Sequence, residues 1–180
     1  QFTDPAMRED ISSEEQILWG NLLEKPVGLE AARRLGLEVV HQPDLVKHAT
    51  IPFMQAHVDF LVQNQDAGLE CKNRGLLMLR QYDLASDDVE DEDRVLPTEA
   101  IQCHHYMTVT GRAKWYLGVL VGGQRLLTFK FERDEAMCRR IEQACIEFWG
   151  YVERGEPPPP INIEDCHKLW PSHKTNAVVV

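Results

Sequence analysis

Ile17, Leu18, Leu22 and Leu23 recur at helical spacing behind Ser12 and Glu15, whose offset is that of a capping box, so a helix is predicted to open near residue 12. Pro26 interrupts the pattern, as a kink or as the first turn of a second helix that runs to Gly36. The period then shortens: residues 39–41 read as a short strand, 53–62 as a longer one and 69–73 as another. A helix is predicted over 98–111. Strands over 115–121 and 126–132 flank Gly122-Gly123, a hairpin signal. From Asp134 onward, Met137, Ile141, Cys145, Phe148 and Val152 return to helical spacing, until the prolines at 157–160 end it. The order is helix, three strands, helix, two strands, helix, which predicts an α/β sandwich around a mixed sheet. One domain over 1–160 and an extended tail over 161–180 are expected, with no internal repeat.

Composition narrows the class. A chain of 180 residues with 43% hydrophobic positions can build a core and is too apolar to be disordered. No apolar run reaches the roughly 18–20 residues of a membrane span, and no charged start leads into an apolar stretch, so neither a membrane nor a signal peptide is expected. Five cysteines, odd in number and without a CxxC pair, fit reduced thiols in a cytosolic protein better than a disulfide framework or zinc ribbon. The formal charge of −10 looks wrong for a nucleic-acid partner. Seven of those charges, however, come from Asp83, Asp87, Asp88, Glu90, Asp91, Glu92 and Asp93, in a stretch without a base that reads as an acidic, mobile loop. The remainder is nearly balanced and can carry a local basic groove, so net charge excludes nothing here.

The parity of two strands carries the chemistry. Over 53–62, Val58, Phe60 and Val62 share one face while His57, Asp59 and Leu61 share the other. In the next strand Leu69 and Cys71 face one way, Glu70 and Lys72 the other. A carboxylate in an apolar strand, beside a strand offering a carboxylate and an amine, is costly unless a cation or ligand compensates it. Asp59 and Glu70 make a hard oxygen site suited to Mg²⁺ or Mn²⁺, and the Cys71 carbonyl can add a third ligand. Lys72 can orient an attacking water. Phosphodiester hydrolysis needs this set, although three such residues alone are also the pattern of a surface salt-bridge ladder.

The surrounding residues add to this. Trp19-Gly20 followed by Glu24, the run 52–59 ending in His57-Val58-Asp59, Gly68-Leu69-Glu70-Cys71-Lys72, Gln102 through Gly111, Val119 through Gly123, and Glu132-Arg133-Asp134-Glu135 occur in the order of the YqaJ-type viral recombinases. The chain resembles this family of lambda-exonuclease-like phage alkaline exonucleases from about Trp19 to Pro160. The resemblance implies a restriction-endonuclease-like core and a metal-dependent deoxyribonuclease, a 5′-to-3′ exonuclease acting on linear double-stranded DNA in phage-type recombination. It implies that Asp59 bridges the metal, Glu70 is the second ligand, Lys72 is the catalytic lysine, and Glu24 completes the metal site directly or through water. Gln102 and Tyr106 match a Q-x-x-x-Y motif on the helix beside the site, one turn apart on one face, with Gln102 orienting the water or Lys72. A single-strand annealing protein as collaborator, a homotrimer closed around DNA, and a bacterial host cytoplasm are further implications.

Two departures concern how the DNA end is held. The residues before the first helix lack the Gly-Gly-Ser-rich segment that members usually carry to meet the 5′-phosphate, and Glu99 stands where a tyrosine is common three residues before the motif glutamine. Tyr106 and, just after the catalytic strand, Arg74 and Arg80 are the candidates for DNA contacts; Arg33-Arg34 and Arg139-Arg140 read as solvated helix faces, with phosphate tracking by one pair as the alternative. His104-His105 read as packing or DNA-facing polar residues, and Trp115, Tyr116, Phe148 and Trp149 as packing residues. The rival readings are an endonuclease or nickase with the same site and a non-catalytic DNA-binding subunit that keeps the fold.

Overall fold

The computed structural model describes residues 14–82 and 95–169. A first compact unit ends at Gln143 and holds every strand; the chain from Ala144 onward belongs to a second.

In the first unit the chain runs α1 (Glu15–Leu35), β1 (Val39–His41), β2 (Val46–Lys47), β3 (Gln55–Ala56), β4 (Phe60–Val62), β5 (Ala67–Arg74), a 3₁₀ helix (Leu76–Gln81), α2 (Pro97–Thr110), β6 (Lys114–Val121), β7 (Arg125–Glu132) and the start of α3 (Glu135–Arg154). Five strands form one mixed sheet in the order β1-β4-β5-β6-β7. Only β5 and β6 are parallel, and α2 lies in the crossover between them, as a parallel pair requires. β2 and β3 form a separate two-stranded sheet. This is the mixed α/β architecture that the pattern predicts.

Alternation on the sheet separates two layers. Phe60, Val62, Leu69 and Tyr116 pack with Ala31 and Ala32 of α1 on one face. Trp115 of β6 meets Tyr106 of α2 at 5.2 Å between ring centroids, and Phe131 of β7 meets His104 of α2, on the other face. α1 approaches closely because the residues between helix and sheet are small: a Cβ on Gly118 would stand 2.8 Å from the Ala31 methyl. Pro26 neither stops nor divides this helix, which is continuous over 21 residues. The missing Pro26 N–H is offset by burial of Val27, Gly28, Ala31 and Ala32 one turn later. Gly36, at φ 65°, ends α1 in the left-handed conformation that glycine adopts without a Cβ penalty.

Three local expectations change. The helix starts at Glu15 with Glu14 as a cap lacking a side-chain bond; Ser12 lies outside the described residues. The predicted strand over 53–62 is two strands of different sheets, with a break at 57–59 that contains Asp59. Its alternation survives the break, since Val58, Phe60 and Val62 are all buried. The acidic run at 83–93 falls outside the described residues.

In the second unit, α3 continues to Arg154 and a short α4 occupies Ile163–Leu169, where an extended tail is expected from the prolines. α3 itself forms where its periodicity predicts, with Asp134 Oδ1 accepting the N–H groups of Ala136 (2.7 Å) and Met137 (3.3 Å). Its apolar positions are not core, however. Cys138 is its one buried residue, and Phe148 is 56% exposed. Trp149 is half-buried and donates its indole N–H to Glu153 at 3.0 Å. Among the described residues no helix is long and apolar enough to cross a membrane.

Candidate active site

β5 presents Glu70, Lys72 and Arg74 on the face that α2 covers, because alternate residues of a strand point the same way. Glu70 is 3% exposed. Its Oε1 accepts from the Lys72 ammonium and from the Gln102 amide at 3.0 Å. The second hydrogen of that amide goes to the Tyr106 hydroxyl, one helical turn along α2. Gln102 is thereby pinned between the carboxylate and the phenol, and its orientation is set by both.

Asp59 enters from the break before β4. Its Oδ2 accepts the Cys71 N–H at 2.7 Å, and its own carbonyl accepts from Gln42 at 2.9 Å. The β4–β5 pairing ends at Phe60 and Leu69, and beyond it the Asp59 side chain, in place of a strand backbone, takes the Cys71 N–H of β5. The Asp59 charge opposes ionisation of Glu70. Burial, then the Asp59 charge, pushes Glu70 up to about 8, against the pull of Lys72. Asp59 is raised as well, first by burial and then by the nearby Glu24 charge, against the Cys71 N–H. Burial and the same carboxylates push the Cys71 thiol far up; the proposed contribution of this residue is its carbonyl.

Glu24 reaches the site from α1. Its Oε1 lies 3.0 Å from His41 Nε2 on β1, and its charge acts on both Asp59 and Cys71. His41 is a member of the cluster that the sequence reading missed. Nothing in a three-residue strand marks it, because its role depends on β1 pairing with β4, which sets His41 opposite Phe60.

These residues fit a small hard cation. Glu70 Oε2 is buried and has no hydrogen-bond donor among the described residues, near the Asp59 carboxyl group, whose Oδ2 takes the Cys71 N–H. Two carboxyl groups so placed retain a proton or take a cation. Among the described residues there is no group of three or more His, Cys, Asp or Glu side chains arranged to hold a metal. Asp59 and Glu70 would leave most positions around a cation to backbone carbonyl and water, the sparse protein ligation that Mg²⁺ accepts because it keeps several waters.

The remaining predicted residues divide. Arg74 is tied to α2: its Nε donates to Glu99 Oε1 at 2.9 Å, and its Nη2 lies 2.9 Å from the same oxygen. Arg80 is exposed on the 3₁₀ helix. Trp115 and Tyr116 are core, as expected. His104 is buried with its ring edge-on to Phe131, and His105 lies 3.4 Å from the Gln55 carbonyl, so the two do not form a joint site. Glu99 and Tyr82, both buried, are the second pair missed. Glu99 sits three residues before Gln102 and Arg74 two after Lys72, and those offsets on the helix and the strand were the available signal.

A five-stranded mixed sheet flanked by helices, with an Asp before β4 and an E-x-K on β5, defines the restriction-endonuclease-like fold. Solved structures share it. The alkaline exonuclease LHK-Exo from Laribacter hongkongensis, in complex with dAMP, superposes with a TM-score of 0.63 at 19% identity, over 87% of this chain and 74% of that one. A phage-related exonuclease from Haemophilus somnus 129PT gives a TM-score of 0.55 at 15% identity, over 75% of this chain and 69% of that one. The YqaJ-like viral recombinase domain matches residues 2–113, and the chain belongs to that family. The uncharacterized protein YqaJ of Bacillus subtilis (strain 168) is 31% identical over 153 residues, 84% of this chain. The chain spans 46% of that relative's length.

Proposed function

We infer that this chain is a divalent-cation-dependent deoxyribonuclease, acting as a 5′-to-3′ exonuclease on linear double-stranded DNA. The observation that carries the reading is the buried Glu70, held by Lys72 and Gln102 on one oxygen and left without a donor on the other, next to Asp59. The exonucleases that share the fold support it. A Mg²⁺ or Mn²⁺ held by Asp59, Glu70 and the Cys71 carbonyl, with Glu24 reached through water, would supply positive charge to the phosphoryl oxygen and acidify an attacking water.

The residues of the chain do the rest. Lys72, anchored by Glu70, holds its ammonium where it orients a water for in-line attack and compensates charge growing on the phosphate. Gln102 fixes the Glu70 carboxylate and is itself fixed by Tyr106. His41 fixes Glu24. Arg74 and Arg80 supply backbone contacts. The substrate end, a single-strand annealing partner, trimer formation and a phage or prophage role in a bacterial cytoplasm belong to the same proposal.

The test compares 5′-phosphorylated linear duplex with relaxed closed circles in Mn²⁺, for the native chain and for Asp59→Ala. The expected result is mononucleotide release from the linear duplex alone, abolished in the variant. Rapid cutting of closed circles would replace the exonuclease by an endonuclease, and turnover by Asp59→Ala would remove the metal-site assignment.

A further inference from the structure

We propose that Glu99 and Tyr82 form a buried clamp that presents the Arg74 guanidinium to a DNA phosphate next to the scissile one. This deepens the nuclease reading and rests on it. Glu99 is 1% exposed, yet it sits in the first turn of α2 beside the site. Among the described residues its carboxylate partners belong to one constellation: Arg74 Nε and Nη2 at 2.9 Å from Oε1, and the Tyr82 hydroxyl at 3.0 Å from Oε1 and 3.1 Å from Oε2. Tyr82 is buried too; its phenol is held above its ordinary pKa by burial and by Glu99, so it remains a donor.

A carboxylate buried to this depth is expensive, and joining two secondary-structure elements does not require one. What the arrangement achieves is orientation. Glu99 takes the Nε–Nη2 side of a planar fork that has five N–H donors. The Arg74 side chain is 34% exposed, so the fork is not sealed from solvent. Arg74 also shares the site-facing side of β5 with Glu70 and Lys72, two residues, or about 6.6 Å, beyond the lysine. A guanidinium fixed on one edge and not sealed from solvent is an oriented phosphate receptor, since less side-chain freedom is lost when the anion arrives. Glu99 and Tyr82 are then positioning residues, and Arg74 is the phosphate contact.

The opposite reading gives the opposite sign. If Glu99 only neutralises Arg74, its removal frees a positive charge and strengthens DNA binding. If Glu99 orients Arg74, its removal weakens binding even though a negative charge has gone. The experiment measures anisotropy of a 5′-phosphorylated fluorescent duplex in chelator across a salt series, with KM and kcat in Mn²⁺ measured separately. Arg74→Ala is expected to weaken binding about ten-fold and to lower the slope of log affinity against log salt by about 0.9, one phosphate contact. Arg74→Lys should keep most of the slope and lose most of the affinity. Glu99→Gln should weaken binding several-fold and raise KM more than it lowers kcat. Tyr82→Phe should do the same to a smaller extent, and it decides the matter if Glu99→Gln does not fold. Tighter or unchanged binding by Glu99→Gln, or unchanged binding by Arg74→Ala, overturns the clamp. A native chain that binds the duplex in chelator but never cuts it in Mn²⁺ overturns the nuclease reading instead, while the binding series still decides the clamp.

Discussion

Glu70 concentrates the tension of the site in one side chain. Its carboxyl is pushed up to about 8 by burial and by Asp59, so the folded, metal-free protein holds a proton that the unfolded chain releases near the ordinary carboxylate pKa. The stabilising effect of that proton is complete below about 4.5 and is lost as pH rises through 8. Between those values the unfolded state binds fewer protons than the folded state, so stability falls with pH. Denaturant midpoints in chelator at pH 5, 6.5 and 8 should therefore decline more steeply for the native chain than for Glu70→Gln, which keeps the shape and cannot ionise. Equal slopes would mean that Glu70 is not the group responsible; added Mn²⁺ at pH 8 should raise the native midpoint and leave that of the variant nearly unchanged. Gln102 makes a different demand. Because its amide bonds Glu70 and Tyr106, Gln102→Ala should lower kcat by about 10–100-fold while duplex affinity changes little. A variant with native kcat would make Gln102 a packing residue of α2.

At the scale of elements, the site depends on how closely α1 can lie on the sheet. Glu24 is on α1, whereas Asp59 precedes β4 and Glu70 is on β5, so the spacing between helix and sheet sets how far Glu24 lies from the other two. Gly118 and Ala31 are the narrow point. Gly118→Ala puts a methyl 2.8 Å from the Ala31 methyl, closer than carbon atoms pack, and should cost about 1–3 kcal/mol. Ala31→Gly in the same chain removes the opposing methyl and should recover part of the loss, against about 0.5–1 kcal/mol for glycine in a helix. Thermal denaturation of the two single variants and the double variant reads this directly, and additive losses would show that the two positions do not touch. Pro26 teaches the complementary point. The periodicity around it predicts an interruption, but burial of four residues in the following turns keeps α1 in one piece.

Over the whole molecule, charge is distributed rather than summed. The acidic run at 83–93 supplies seven of the ten net negative charges and follows the β5 and 3₁₀ segment that carries Arg74 and Arg80. Replacing those acids by neutral residues should tighten DNA binding at low ionic strength, and the gain should fade as the Debye length shortens to about 8 Å at physiological salt. An affinity unchanged at low salt would place the run away from the DNA path. The mixed α/β class, the α2 and α3 helices, the β6–β7 hairpin, and the pairing of Asp59 with Glu70 and Lys72 were all legible in the chain, because periodicity and strand parity are local properties that each segment carries with it; β2 and α4 were not. The split of 53–62 between two sheets, the continuity of α1 through Pro26, the exposure of Phe148, the His41–Glu24 pair and the Arg74–Glu99–Tyr82 cluster were not. Each of these depends on what another part of the chain contributes across space: a strand partner, a buried helix face, a covering layer, a counter-charge. Local pattern determines which side of an element is apolar, and only the assembled sheet and helices decide what that side, or a lone charge on it, meets.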